Sequence, residues 1–404
     1  MKAVGIIVEY NPFHNGHLYH VQQSKLQNEA PIAIAVMSGS FLQRGEPAIV
    51  NKWSRTKMAL QGGVDIVIEL PYLYSSQHAK YFATGAVSLL EAVKCDTFCF
   101  GSENGTIDQF IHMYHQMEHN REPLNEEIRL FNKQGNSYPK SVSLALEKLG
   151  LQTDNGIDIA KPNNILGYQY ISATLENDYK IKPTLINRVA ADYHDTTLPS
   201  GNIASATSIR KALLDNNLSI DTASSFMPSY TFKELQAYID RFHILHSWEH
   251  YWPLLQYKLL SLTTDDLENI YEVEEGIQHR MKEAAKQSDS FTQFIMHVKT
   301  KRYTLTRLQR ICVHILTNTK KDTMVQLINE PTYLRVLGFT ENGRKYLSMN
   351  KKKFELPLIT KAAGASHDAL SLDIKAAMIH SLALPAAFRT EAFKREYQQL
   401  IIKQ

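Results

Sequence analysis

The feature that most constrains this chain is a pattern met five times. A short apolar run rich in β-branched residues is followed by a small polar turn and then by a stretch with helical spacing. The runs are Ala3–Val8, Pro31–Met37, Val64–Glu69, Cys95–Phe100 and Pro183–Ile186. Runs of this length without polar alternation suit strands buried on both faces, and strands alternating with helices specify a parallel sheet covered on both sides. The expected fold class is α/β, a Rossmann-like doubly wound parallel sheet, over residues 1–225. Beyond it no further strand-and-turn alternation is found. Phe232–Tyr251 carries Leu235, Tyr238, Ile239, Phe242 and Leu245 at helical spacing, and Leu305–Leu316 behaves alike. Residues 226–404 are therefore expected to form a second, mainly α-helical region.

In an open α/β sheet, ligands bind at the carboxyl ends of the strands. The first such end reads Glu9-Tyr10-Asn11-Pro12-Phe13-His14-Asn15-Gly16-His17. Asn11-Pro12 breaks the strand, and Gly16 precedes Leu18, Val21 and Lys25 at helical spacing. Free amides at a helix N-terminus favour an anion, and two imidazoles beside them suit a phosphate whose charge changes during reaction. Taken alone, the pair also fits two solvated turn histidines. A second stretch, Ser205-Ala206-Thr207-Ser208-Ile209-Arg210, puts hydroxyls and an arginine at a helix start near Thr207 or Ser208, again an anion-binding set. Its plain alternative is a helix cap with a solvated arginine.

No stretch approaches the ~18 apolar residues of a membrane span. Glu9, Asn11 and His14 interrupt the first apolar run too early for a signal peptide, so the cytoplasm is the expected location. Cys95, Cys99 and Cys312 are an odd count without zinc-ligand spacing and are expected reduced and buried. No metal-binding carboxylate or histidine cluster is found. Charge is uneven: residues 1–225 carry 19 basic and 22 acidic side chains, residues 226–404 carry 25 and 19. Lys299 to Lys353 alone holds 13 basic and 3 acidic residues, a candidate polyanion surface. There Leu305, Leu308, Ile311 and Ile315 would pack inward, leaving Arg302, Arg307 and Arg310 partly exposed beside Lys299 and Lys301. Tyr303, Tyr333 and Tyr346 are interspersed as candidate stacking platforms, and Lys351-Lys352-Lys353 is the candidate sequence-independent phosphate contact. A charged helical face that simply meets water is the competing reading. Lys52, Arg55 and Lys57 are read as solvated residues on the second helix.

The histidine turn and the Ser205–Arg210 stretch resemble the two signatures of the His-x-Gly-His nucleotidyltransferase superfamily, in order and roughly 190 residues apart. The wider string EYNPFHNGH and the loop Ser38-Gly39-Ser40-Phe41-Leu42-Gln43-Arg44-Gly45-Glu46-Pro47 resemble, more narrowly, the bacterial tRNA(Met) cytidine acetate ligases. Ala204 and Ala206 stand where many superfamily members have a serine. The resemblance implies catalytic roles for His14, His17 and Arg210. It implies ATP contacts along Ile7, Val8, Glu9, Tyr10, Asn11, Pro12, Phe13, His14, Asn15, Gly16, His17 and His20, and at Gly101, Asn163, Asn187, Arg188, Ser205 and Thr207. Asn163 is equally a helix cap. Ser38, Ser40 and Arg44 would receive acetate, unless Arg44 only pairs with Glu46 or Glu69. ATP, arriving with Mg²⁺ and no tightly held metal, would activate acetate as acetyl-adenylate. The acetyl group would then pass to N4 of the wobble cytidine of elongator tRNA(Met), the RNA lying on Lys299, Lys301, Arg302, Arg307, Arg310 and Lys351–Lys353. Two other readings stay open: a nucleotidyltransferase adenylylating a phosphorylated small molecule, and a non-catalytic RNA-binding protein on the same fold.

Overall fold

Five parallel strands, β1 (Ala3–Val8), β2 (Ile32–Ser38), β3 (Ile66–Leu70), β4 (Thr97–Ser102) and β5 (Lys182–Asn187), stand in the order β5-β4-β1-β2-β3. The computed structural model describes residues 1–151, 157–159, 161–187, 201–215, 220–328, 332–365, 367–397 and 401–403. The expected runs are all strands, offset by one or two residues where the preceding turn takes the first of them. Val64 and Cys95, for example, donate backward to the carbonyls of Ala59 and Leu90 and close the helices before them. Side chains alternate between the two faces, as period two requires. Ile32, Ile34, Val36, Ile66 and Ile68 enter one core; Ala33, Ala35, Met37 and Val67 enter the other.

Helices α1 (Asn15–Gln27), α2 (Lys52–Gln61), α3 (Tyr72–Ser75), α4 (Ala79–Ala92), α5 (Ile107–His119), α6 (Arg121–Lys133), α7 (Tyr138–Lys148), α8 (Pro162–Glu176) and α9 (Ala206–Asp215) connect and flank the strands. Asn51 caps α2 by accepting from the Ser54 amide at 2.9 Å. The chain leaves β1 toward β2 and β3, then returns to place β4 on the other side of β1. This reversal opens the switch-point crevice at the carboxyl ends of β1 and β4.

The second half is not purely helical. After α10 (Ser229–Phe242), α11 (Trp248–Ser261), α12 (Thr264–Glu268), α13 (Ile277–Lys286), α14 (Phe291–Val298), α15 (Leu305–Leu316) and α16 (Lys321–Leu327) comes a buried strand, β6 (Leu334–Thr340), antiparallel to β3. Then α17 (Glu341–Asn350), β7 (Leu358–Ile359), α18 (Asp368–Ser381), α19 (Ala386–Arg395) and β8 (Ile401–Lys403) follow, with β7 and β8 both pairing with β6. The sheet thus runs across residue 225, and the expectation of no further strand is corrected. Arg335 breaks the apolar run of β6, but it stands opposite Glu69 in the register and pairs with it at 2.9 Å. The neighbouring strand supplies the charge that makes this sequence acceptable as a buried strand.

That pair belongs to a larger buried network. Lys52 Nζ lies 2.8 Å from Glu69 and 2.6 Å from Glu396, and Arg335 lies 3.2 Å from Glu396. Lys52 and Arg55 are 1% and 0% exposed, which overturns their reading as solvated; Lys57 does lie at the surface, 3.2 Å from Glu234. All three cysteines are buried free thiols. Among the described residues, no helix is long and apolar enough to cross a membrane.

Candidate active site at the carboxyl edge

The histidine turn is built by its own backbone demands. His14 is the N-cap of α1, and its Nδ1 accepts from the Gly16 amide at 3.1 Å, while His17 Nδ1 accepts from the His14 amide at 3.3 Å. The rings stack with centroids 3.7 Å apart. Because both Nδ1 atoms accept, each neutral ring carries its proton on Nε2 and is a donor there. A Cβ at residue 16 would stand 2.9 Å from Cε1 of His14, so glycine is needed here to seat that ring.

The floor of the turn is packed protein. Tyr10 and Phe13 are 0% exposed and pack on His17, Tyr10 edge-on and Phe13 tilted, with centroids 5.0 and 5.8 Å from its ring. Tyr10 adopts φ 51°, a left-handed conformation that bulky residues keep only where packing enforces it. Tyr10 and Phe13, expected as nucleotide contacts, have buried side chains that pack against His17. Asn11 and Asn15 also work inward. Asn11 Oδ1 accepts from the Ile49 amide at 2.7 Å; Asn15 donates to the carbonyls of Asn202 at 2.9 Å and Ser225 at 3.0 Å. Ile7, Val8, Pro12 and His20 complete the run, His20 one turn beyond His17 on α1.

The second motif meets the first directly. Ser205 Oγ accepts from the Ser208 amide at 3.0 Å and so caps α9, with Thr207 half-buried in the first helical turn. One turn on, Arg210 donates from Nη1 to the Asn11 carbonyl at 3.1 Å and from Nη2 to Glu46 at 2.8 Å. Glu46 is therefore the partner of Arg210, not of Arg44, and Glu69 is taken by Lys52 and Arg335. Both salt-bridge alternatives for Arg44 are corrected. Arg44 is half-buried, and its charge acts on Glu9.

Arg55 organises the strand ends from below. Its guanidinium donates to the carbonyls of Glu9 at 2.8 Å, Ser38 at 2.9 Å, Val50 at 3.3 Å and Gly39. Burial pushes its pKa down to about 10, against the pull of Glu9 and Glu69. The loop it supports is closed by a bridge between Phe41 and Pro47. Further anchors come from the second half of the chain: Trp248 Nε1 donates to the Gly45 carbonyl at 2.9 Å, and His380 Nε2 donates to that of Ala48 at 2.9 Å. Ser38 and Ser40 lie buried in this frame, and Ser38 Oγ has no hydrogen-bond partner among the described residues.

Across the crevice, Gly101 is the penultimate residue of β4, and Asn187, at the exposed end of β5, pairs with Ser102. Asn164 is fully buried and braces this turn, accepting from Ser102 Oγ at 2.9 Å and the Glu103 amide at 3.1 Å. Asn163 is not the cap of α8. Lys161 occupies that position, and the Glu103 carboxylate accepts from the amides of Asn163 and Asn164 at 3.1 and 2.9 Å. Arg188 lies outside the described residues.

The basic stretch is largely answered from within. Glu272, Glu274 and Glu275 pair with Arg310 at 2.9 Å, Arg307 at 3.2 Å and Arg302 at 2.8 Å. Arg310, expected partly exposed, is buried against the Gly45 loop, while Lys299, Lys301 and Arg302 stay exposed. Tyr303, Tyr333 and Tyr346 are all buried, so none offers the base-stacking platform expected of them. Lys351–Lys353 is fully exposed but lies on the other side of the sheet. Tyr346 donates to the carbonyls of Val93 and Lys94 ahead of β4, and Glu355 pairs with Lys94, so both flanks of the lysines sit at the amino edge.

A doubly wound sheet with paired imidazoles at its switch point and a helix-borne arginine facing them defines a HIGH nucleotidyl transferase. The family model of that description matches residues 1–396. Curated relatives include the tRNA(Met) cytidine acetate ligases of Bacillus subtilis, 49% identical over 98% of this chain and 96% of that protein, and of Anoxybacillus flavithermus, 49% identical over 98% and 99%. The crystal structure of apo Thermotoga maritima TmcAL is similar throughout, with TM-score 0.91 and 31% identity over 100% of this chain and 99% of that one. Its form bound with alpha-thio ATP gives TM-score 0.90 and 30% identity over the same shares. The chain belongs to the tRNA(Met) cytidine acetate ligase family.

Proposed function

We propose that this chain is an ATP-dependent tRNA(Met) cytidine acetate ligase acting in the cytoplasm. One observation carries the site: Arg210 reaches the Asn11 carbonyl across 199 residues, bringing the two anion-binding motifs to one point beside the switch-point crevice. An acetate oxygen attacks the α-phosphorus of ATP, pyrophosphate leaves, and acetyl-adenylate remains. His14 and His17, donating from Nε2, and Arg210 stabilise the charge that grows on the phosphate oxygens, from positions set before substrate arrives. Arg44 and the Ser38–Ser40 turn face the acetate carboxylate, Ser38 with an unused buried hydroxyl. Gly101, Asn163, Asn187, Arg188, Ser205 and Thr207 complete the ATP contacts. Mg²⁺ would arrive carried on the triphosphate's own oxygens.

In the second step the acetyl group passes to N4 of the wobble cytidine of elongator tRNA(Met). Lys299, Lys301, Arg302 and Arg307 lie around α15, on the side of the sheet where α15 packs against the Gly45 loop, and contact RNA near the site. Lys351–Lys353 meets RNA phosphates farther from the reacting base. Mass analysis of elongator tRNA(Met) after incubation with ATP and acetate tests the reading. An added acetyl group on the wobble cytidine is expected. Pyrophosphate exchange that needs a phosphomonoester and ignores acetate would favour adenylylation of a small molecule instead, and RNA binding with no exchange at all would refute catalysis.

A further inference from the structure

The two anionic substrates of the first step meet where a third anionic group, a carboxylate, already stands. Glu9 follows β1 by one residue, and its Oε1 accepts from the Gln43 amide of the acetate loop at 2.9 Å. Its surroundings can be named from every side: Arg44 and Glu46 on the loop, Arg210 on α9, Arg55 on α2 and Tyr170 on α8. Three guanidinium groups act on it, yet among the described residues it forms no ion pair. Arg210 is bound to Glu46, and Arg55 to the backbone carbonyl of Glu9 itself. Glu9 also keeps partial exposure, and its Oε2 accepts no hydrogen bond among the described residues. A carboxylate at this place weakens the binding of acetate and triphosphate by repulsion, and the first half-reaction has no proton for it to take. The second half-reaction does. The exocyclic amine of cytidine must lose a proton as it becomes an amide.

Building on the function proposed above, we infer that Glu9 is the general base of acetyl transfer. N4 of the cytidine attacks the acetyl carbonyl carbon and the N–C bond forms. The bond from that carbon to the phosphate oxygen breaks, and AMP leaves with the electron pair. The N4 proton passes to Glu9 Oε2 and from there to water. The carboxylate is bonded to the loop at Gln43 and feels the charges of Arg44 and Arg210, the groups assigned above to acetate and phosphate. Burial, followed by repulsion from Glu46, raises its pKa, against the lowering by the Gln43 amide, Arg44 and Arg210, which moves it toward the range where a carboxylate can serve as a base near neutral pH.

The test uses full-length protein and two readouts, acetate-dependent exchange of labelled pyrophosphate and incorporation of labelled acetate into elongator tRNA(Met). Glu9→Gln keeps an acceptor for the Gln43 amide and removes the base. Acetylation should fall by at least ~100-fold, the scale of a lost general base, while exchange falls by far less. In the wild type, transfer should rise with pH through the raised Glu9 pKa and then level off, and the variant should lose that limb. Glu9→Asp should recover part of the transfer. An equal loss in both readouts would place Glu9 in ATP binding and overturn the inference. So would transfer with an unaltered pH profile, which would leave the proton to the departing phosphate. Wild-type protein without acetate-dependent exchange would fail at the earlier step and refute the function itself.

Discussion

Replacing Gly16 by alanine separates what the histidine turn does for stability from what it does for chemistry. The new Cβ would stand 2.9 Å from Cε1 and 3.1 Å from Nδ1 of His14. Ordinary contact between such atoms begins near 3.5 Å, so the ring must swing by roughly half an ångström. The cap bond from the Gly16 amide to Nδ1, 3.1 Å long, is then lost. Losing an N-cap costs about 1 kcal/mol, but alanine in the first turn of a helix regains up to ~1 kcal/mol over glycine. The two terms nearly cancel, and Tm should move by no more than about 2 °C. Activity has no such compensation. A misplacement of ~1 Å at a reacting centre costs up to 10²-fold, so half of that predicts a loss of roughly tenfold in adenylate formation. Since the His14 and His17 rings stack at 3.7 Å, the displacement should reach both imidazoles. Thermal melting beside acetate-dependent pyrophosphate exchange reads the two effects. Full exchange activity at unchanged Tm would show that the position of the His14 ring does not matter to the reaction. A large fall in Tm would show that the turn cannot yield as reasoned.

Four other variants have expected outcomes. Arg44→Ala should raise the acetate concentration needed for half-maximal exchange by about tenfold or more while moving that for ATP much less; equal shifts would make Arg44 structural. Lys299→Gln with Lys301→Gln should weaken tRNA binding and lower the slope of log affinity against log salt by roughly 1 to 2. The triple Gln replacement of Lys351, Lys352 and Lys353 should change that slope less, because these lysines lie at the opposite edge of the sheet; a larger change would put the RNA on that edge. Asp373 accepts from the Tyr72 amide at 2.7 Å and from the Tyr333 hydroxyl, and burial, then Glu69, pushes its pKa up to about 7. A carboxyl whose folded pKa is raised costs stability as pH climbs from its unfolded value near 4 to about 7. Asp373→Asn should remove that slope from the pH dependence of Tm and be relatively more stable at pH 8 than at pH 5.

The parallel half of the fold was legible because each strand is an uninterrupted apolar run between turn residues, a signal carried by neighbours in sequence. β6 was not, because Arg335 makes sense only opposite Glu69, and that pairing spans the chain. The same limit hid the partners of the site. The alliance of Arg210 with Glu46 joins residues 164 apart. Arg55 and Lys52 resemble the exposed face of a polar helix until the strand-end carbonyls and Glu69 are placed beneath them. The basic stretch was overread for a related reason. Its charges are real, but three glutamates about thirty residues upstream fold back on three of its arginines, and its tyrosines turn inward. The histidines, the hydroxyl-arginine motif and the loop from Ser38 to Pro47 were readable because each carries its chemistry within a few consecutive residues.

Glu396 stands 343 residues after Trp53, yet it bonds Trp53 and Lys52 on the helix that carries Arg55. During synthesis, then, His14, His17 and Arg210 can all emerge while the clamp beneath the strand ends is still incomplete. Synthesis must pass residue 396 before Lys52, Glu69 and Arg335 all find their counter-charges. A product ended before residue 396 is left with buried, unmatched ions beneath the strand ends. Reaching residue 396 thereby acts as a check on the order of the strand ends, because only then are the buried cations and Glu69 all matched.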